Sequence, residues 1–263
     1  MERRTIYAAA LSSFLTSYLI HHPRLSHRIY SDILTFWFRH SSEIGPPYIS
    51  FPFEYPPISG FLTYLSMILG GEVEGYYLIF SIIILIFYIV LIESVRRIIS
   101  RKNGMDELIV IFLAVSPSMI LYMVYNFDAI FISLVILSLL LLEAKRVKWS
   151  AIAFGAAALT KFMSFILLPV IIPYIEGRKN RVAYIAISVG SFCLVNIILY
   201  VLSPTIFPQT YLHHVKWGLE DSWLIYLFPD ESSWNTAKLM SFILMAYALL
   251  KVYLSKAGDI YER

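Results

Sequence analysis

The residues of this chain that could do chemistry are few: Asp32, Glu54 beside Tyr55, Asn126 two positions before Asp128, and Lys161. Carboxylates can take up a proton, and a lysine can hold an anion. Lys161 lies between two apolar stretches, 150–160 and 162–176, each too short to cross a bilayer alone. Their shared apex is therefore expected below the membrane surface, where a lysine is costly unless it faces a polar cavity. No HExxH, CxxC, P-loop or GxSxG pattern occurs. The single cysteine, Cys193, sits in an apolar run and excludes an intrachain disulfide or thiolate metal site.

The elements that must position these residues are dictated by hydrophobicity. The chain is 59% hydrophobic and 15% charged, with a mean hydropathy of +0.70. Soluble domains are about 45–50% apolar and about 25% charged, so a soluble core could not hide this surface. The net charge of +3 collects in short clusters. It argues for membrane orientation and against nucleic acid. Arg3–Arg4, Arg96–Lys102, Lys145–Lys148 and Arg178–Arg181 mark the cytoplasmic side. They can share it only if 58–70 does not cross; about 13 residues make roughly 20 Å of helix, less than a hydrocarbon core.

Eight crossings are then expected: 5–20, 76–95, 107–125, 128–143, 150–160, 162–176, 182–202 and 236–254. The start resembles a signal peptide without a convincing cleavage site and is read as a retained first helix. The fold class is all-α, a polytopic membrane helix bundle with a juxtamembrane or re-entrant helix on the outer face. Residues 1–263 are read as a single integral membrane domain with outer loops 21–75 and 203–235, and with both termini cytoplasmic. Fifteen of the 21 Lys and Arg residues fall inside and all six His outside.

Each polar feature also has a plain structural reading. Asp32 could be a solvated acid or helix cap, and Glu54-Tyr55-Pro56-Pro57 could simply start a helix. Asn126 or Asp128 could cap the helix that begins there. Lys161 could extend to the interface, and the His21–His22 and His213–His214 pairs could mark the water boundary. The argument for a site is that these features converge on one face.

Tyr30-Ser31-Asp32-Ile33 after the first helix and Phe53-Glu54-Tyr55-Pro56-Pro57 before a short one resemble the GT-C superfamily of membrane glycosyltransferases. So do Pro117 followed by Asn126-Phe127-Asp128, and Ala158-Leu159-Thr160-Lys161 with Pro169 and Pro173. The order is most similar to archaeal and bacterial polyprenyl-phosphate-mannose-dependent mannosyltransferases and to the enzyme adding the first mannose in GPI-anchor assembly. The resemblance covers roughly residues 1–176; the tail from 203 aligns with nothing.

The resemblance implies transfer of a sugar from a polyprenyl phosphate carrier to an acceptor hydroxyl, with inversion. Asp32 matches the catalytic base and Lys161 the lysine between two short helices, expected at the donor phosphate. The amides opening 162–176 are expected to assist Lys161. Glu54, Tyr55, Asn126, Asp128 and Trp217 are expected to line the cavity, with Tyr55 and Trp217 packing on sugar faces. Leu34 stands where relatives often carry a second acid, so no cofactor is expected and a divalent metal lacks support. The expected partners are membrane lipid, the lipid-linked donor and a glycan, lipid or protein acceptor. Two other classes stay open: a lipid or small-molecule transporter built on an intramembrane Asp128–Lys161 pair, and an inactive assembly subunit.

Overall fold

Proline, glycine and serine cut the apolar sequence into helical pieces. The computed structural model describes residues 3–25, 29–101, 108–216, 219 and 223–254. Among these, regular structure is helical apart from one isolated bridge pairing Pro47 with Phe51. The helices are α1 (Arg3–Ile20), α2 (Asp32–His40), α3 (Pro57–Gly70), α4 (Val73–Arg101), α5 (Leu108–Ala114), α6 (Pro117–Tyr122), α7 (Asp128–Glu143) and α8 (Val147–Thr160). They continue with α9 (Leu168–Ile171), α10 (Arg178–Leu202), α11 (Gln209–Lys216) and α12 (Trp234–Leu254).

Two expected helices are broken. The segment 107–125 divides at Pro117, which cannot donate to the preceding turn; Ser116 restarts the helix by accepting from the Met119 amide at 3.4 Å. The segment 162–176 is a 3-10 turn (Phe162–Leu167), the short α9 and a second 3-10 turn (Ile172–Tyr174). Pro169 and Pro173 prevent a continuous α-helical ladder there. By length and composition, α4 with 29 residues and α10 with 25 can cross a membrane. The helix α3, the helix α8 and the segment 162–174 are apolar but shorter.

Small side chains let the helices approach closely, as expected where an apolar solvent gives no drive to bury larger ones. Ala151, Ala153, Gly155, Ala157 and Ala158 are buried along α8. A Cβ on Gly155 would overlap the Ser191 hydroxyl of α10. Ser150 donates to the Ser138 carbonyl of α7 at 2.7 Å, and the Tyr184 hydroxyl of α10 joins Ser138 at 3.2 Å. Helix α7 is fixed to α4 by Ser133, which donates to the Phe87 carbonyl at 2.6 Å.

The basic clusters gather at one end of this bundle. Tyr7, near the start of α1, donates to Glu93 at 2.7 Å, and Glu93 also holds Arg96 and Arg97 near the end of α4. Arg101 pairs with Glu143 at the end of α7 at 2.9 Å, and Lys145 pairs with Glu176. The starts of α2, α3 and α7 and the end of α8 lie at the opposite end. Tyr76 and Arg96 are 20 residues apart on α4, roughly 30 Å of helix.

Candidate active site

An aromatic cluster around Phe127 assembles the site. Phe127 is fully buried and touches rings from three other segments. Its centroid lies 5.2 Å from Phe36 of α2, 5.2 Å from Tyr55 and 5.5 Å from Phe80 of α4. Packing Phe127 therefore sets its chain neighbours, Asn126 and Asp128, against the start of α2.

The first turn of α2 is held by two groups from outside the helix. Its Ile33 amide, an orphan donor of the helix start, donates to the Tyr125 carbonyl at 3.2 Å. The Tyr76 hydroxyl donates to the Ile33 carbonyl at 2.9 Å. Asp32, the first residue of α2, is half-buried and hydrogen-bonds with Tyr30 and Asn126. Burial pushes its carboxyl above the ordinary aspartate range, and the Asp128 charge adds to this. Tyr30, Lys161 and Asn126 pull it the other way.

Asn126 is 8% exposed. Its side-chain oxygen accepts from the Asp128 amide at 2.7 Å, an Asx turn opening α7. The same side chain therefore both orders the turn into α7 and hydrogen-bonds Asp32. Asp128 forms an ion pair with Lys161, whose side chain is 22% exposed against 40% for Asp128.

Lys161 is the residue closing α8, with an extended backbone. A cation there suits the negative end of the helix. The segment after Lys161 opens as a six-residue 3-10 turn with Lys161 at its N-cap, and not as the continuous helix expected to supply amides there. Ser59 of α3 donates to the neighbouring Thr160 carbonyl at 2.9 Å, tying Lys161 to the segment that carries Glu54 and Tyr55.

That segment is positioned by Tyr48. Buried at φ +71, Tyr48 turns its hydroxyl toward the carbonyls of Tyr55 at 2.7 Å and Pro56 at 2.8 Å. The same hydroxyl accepts from the Gly60 amide at 3.0 Å. A Cβ at Gly60 would overlap it. Glu54, with 11% of its side chain exposed, pairs with Arg39 at 2.6 Å. Burial raises the Glu54 carboxyl, while Arg39 and His213 draw it down. Burial also raises the Tyr55 hydroxyl, and the charges of Asp32, Glu54 and Asp128 add to it.

Of the expected site residues, Asp32, Glu54, Tyr55, Asn126, Asp128 and Lys161 thus come together at one end of the bundle. Trp217 lies outside the described residues. Sequence reasoning passed over Arg39, His40 and Gln209. Arg39 could have been found, because it follows Asp32 by seven residues, two turns along the same helix. Gln209 carries no such signal. Among the described residues, no group of three His, Cys, Asp or Glu side chains is placed to hold a metal ion.

Two cavities adjoin the cluster. A mainly apolar one of about 310 Å³ runs from Asp128 between α4, α6 and α7, past Ala129, Ile132 and Met119 to Leu91. A second of about 360 Å³ lies between the end of α2, residues 52–54 and α11.

The model of glycosyltransferase family 87 matches residues 53–254. The match takes in Glu54, Tyr55, Asn126, Asp128, Lys161 and Trp217, whereas Asp32 precedes it. It also extends well past residue 176, so the tail from 203, which the sequence reading left unaligned, falls within the family. No curated protein and no solved structure matches the chain.

Proposed function

This chain belongs to glycosyltransferase family 87, and from that premise we propose that it is an inverting membrane glycosyltransferase of the GT-C type. It takes a sugar, with mannose the favoured one, from a polyprenyl phosphate carrier to an acceptor hydroxyl at the outer face of a membrane. The observation that carries this reading is the meeting of Asp32, Asn126, Asp128 and Lys161 from three separate segments. All four lie at the end of the bundle away from the basic clusters.

The acceptor oxygen attacks the anomeric carbon as the bond from that carbon to the phosphate oxygen breaks. The acceptor proton goes to the Asp32 carboxylate. A pKa raised by burial brings that base closer to working pH, which favours proton transfer. The leaving polyprenyl phosphate gains negative charge, which Lys161 offsets in a partly dry site. In the resting site Asp128 neutralises Lys161; the arriving phosphate shares that cation. The groove that starts at Asp128 and descends to Leu91 suits the first isoprene units of the carrier. The carrier needs no polar partner there.

The topology that goes with this reading has eight crossings, with the broken segments 107–125 and 162–176 among them, and residues 58–70 on the outer side. Both termini are cytoplasmic, by the positive-inside rule. The test uses purified protein in nanodiscs with polyprenyl-phosphate-linked mannose or glucose and a panel of glycan and lipid acceptors. Donor-dependent appearance of a glycosylated product, lost in Asp32→Asn, supports the reading. An inert wild type across donors and acceptors, or full turnover by Asp32→Asn, overturns it.

A further inference from the structure

Helices α1 and α4 are clasped at two points and open between them. Tyr77 donates to the Tyr18 carbonyl at 2.8 Å toward one end, and Tyr7 donates to Glu93 at 2.7 Å toward the other. Between the clasps lies a groove of about 280 Å³, walled by Tyr7, Ala10 and Leu11 of α1 and by Leu85, Ile89 and Ile92 of α4. Its lips, Leu11 and Ile89, are exposed. The groove adjoins the end of the bundle that carries the basic clusters, away from Asp32 and Lys161.

The wall offers an occupant almost no polar surface. The two hydroxyls in it are turned to partners of their own. Tyr7 donates to Glu93, and Tyr88 donates to the Ala114 carbonyl at 3.0 Å. The rest of the wall is aliphatic, and apolar cavities of this kind stay dry. Helix α4 is long and apolar enough to cross a bilayer, so the open side meets hydrocarbon there. An acyl chain entering from the side would cover Leu11 and Ile89 and touch only apolar atoms.

The end of the groove selects among lipids. On both walls the stripe of groove residues runs on to an arginine. Arg3 precedes Tyr7 by four residues and Arg96 follows Ile92 by four, the spacing that keeps side chains on one helix face. Arg4 and Arg97 are their chain neighbours. Glu93 is shared by Tyr7, Arg96 and Arg97, which engage both its oxygens. Among the described residues there, four guanidiniums thus stand against that one carboxylate. Arg3 and Arg4 are exposed, and so is 58% of the Arg97 side chain. A phosphate can therefore reach them, and guanidinium binds phosphate through paired hydrogen bonds. A zwitterionic headgroup brings no net charge to offset the excess.

We infer that this groove binds one acyl chain of an anionic glycerophospholipid, with the phosphate held at Arg3 and Arg97. The Tyr7–Glu93–Arg96 cluster closes the floor beneath it. In the topology proposed above, this end lies in the cytoplasmic leaflet, whose surface is negatively charged. The bound lipid fills the gap between α1 and α4 and ties the helix that precedes α2 into the bundle. The inference rests on the chain lying in a bilayer and is independent of the glycosyltransferase reading.

The test is native mass spectrometry of the full chain in mild detergent, titrated with phosphatidylglycerol and with phosphatidylcholine of the same acyl chains. One phosphatidylglycerol should bind roughly tenfold or more tighter than phosphatidylcholine, a preference that two arginines near an anionic headgroup can supply. The double variant Arg3→Gln with Arg97→Gln should abolish that preference. Leu11→Trp, which fills the groove from its exposed lip, should weaken phosphatidylglycerol roughly tenfold with every arginine in place, as loss of a few buried methylenes does. Ile89→Trp, at the opposite lip, gives the same readout should Leu11→Trp fail to fold. Arg178→Gln with Lys179→Gln, an exposed basic pair on α10, should change neither affinity.

Equal affinity for the two lipids, or a preference lost equally in the Arg178 and Lys179 variant, leaves only general electrostatics and overturns the inference. Full phosphatidylglycerol affinity in both tryptophan variants overturns the groove as the chain's site. Selective lipid binding by a chain that transfers no sugar leaves this site standing and removes the enzyme reading alone.

Discussion

Lys161 and Asp128, 33 residues apart in the chain, form an ion pair that joins the end of α8 to the start of α7. The pair is only partly exposed, so it is screened less than a surface pair. Its partners also flank Asp32 electrostatically with opposite sign. Changes at either residue should therefore be felt at Asp32 without any movement of the backbone.

Replacing Asp32 with Asn keeps its size and much of its hydrogen bonding but removes the base. Transfer should fall by roughly 10²–10⁴, the usual contribution of general base catalysis. Donor-lipid binding should survive, which a binding assay with the lipid phosphate alone will show.

Lys161→Ala should behave differently. The same cation serves the bound donor and the departing phosphate, so donor affinity and turnover should both fall. Lys161→Arg should restore part of the affinity. A variant that binds donor as tightly as wild type would remove Lys161 from the phosphate site.

The pH profile gives a test of the local field. The base must be unprotonated, so kcat/KM rises with pH through the Asp32 pKa. Burial raises that pKa, so the acid limb should lie above the ordinary aspartate value of about 3.9. Lys161→Met removes a group that lowers it and should move the limb to higher pH. Asp128→Asn removes a group that raises it and should move the limb lower. Equal shifts in one direction would contradict this arrangement.

Tyr48 should act as a positioning residue. Tyr48→Phe removes the nearer acceptor of the Gly60 amide, leaving it the Pro56 carbonyl at 3.5 Å, and deletes the donor to the Tyr55 and Pro56 carbonyls, at a cost of about 1–3 kcal/mol in unfolding free energy. Its effect on transfer should appear mainly in KM, because Glu54 and Tyr55 lose their anchor. Denaturant titration and steady-state kinetics together check it.

Topology can be read directly. Cysteines placed at Glu72 and Arg101, in a Cys193→Ala background, should label from opposite sides of a membrane vesicle. Glu72 should react from outside and Arg101 from the cytoplasm. The reverse assignment would break the charge argument.

Local sequence determined the helical segments. An apolar run in this composition must satisfy its own backbone, and helices do so alone. The basic clusters marked one end of the bundle for a similar reason, since charge stays out of apolar packing. Pro117, Pro169 and Pro173 were visible too, but whether each would bend a helix or end it depended on packing. Tertiary structure alone decided that Lys161 closes α8 and pairs with Asp128, with a short 3-10 turn and not a long helix opening after it. It also decided that His40, Glu54 and Gln209 share a cavity. Periodicity reports which face of a segment is apolar. It carries no information on which distant segments meet, and here that was set by rings packing around Phe127 and by Tyr48 locking the turn before α3.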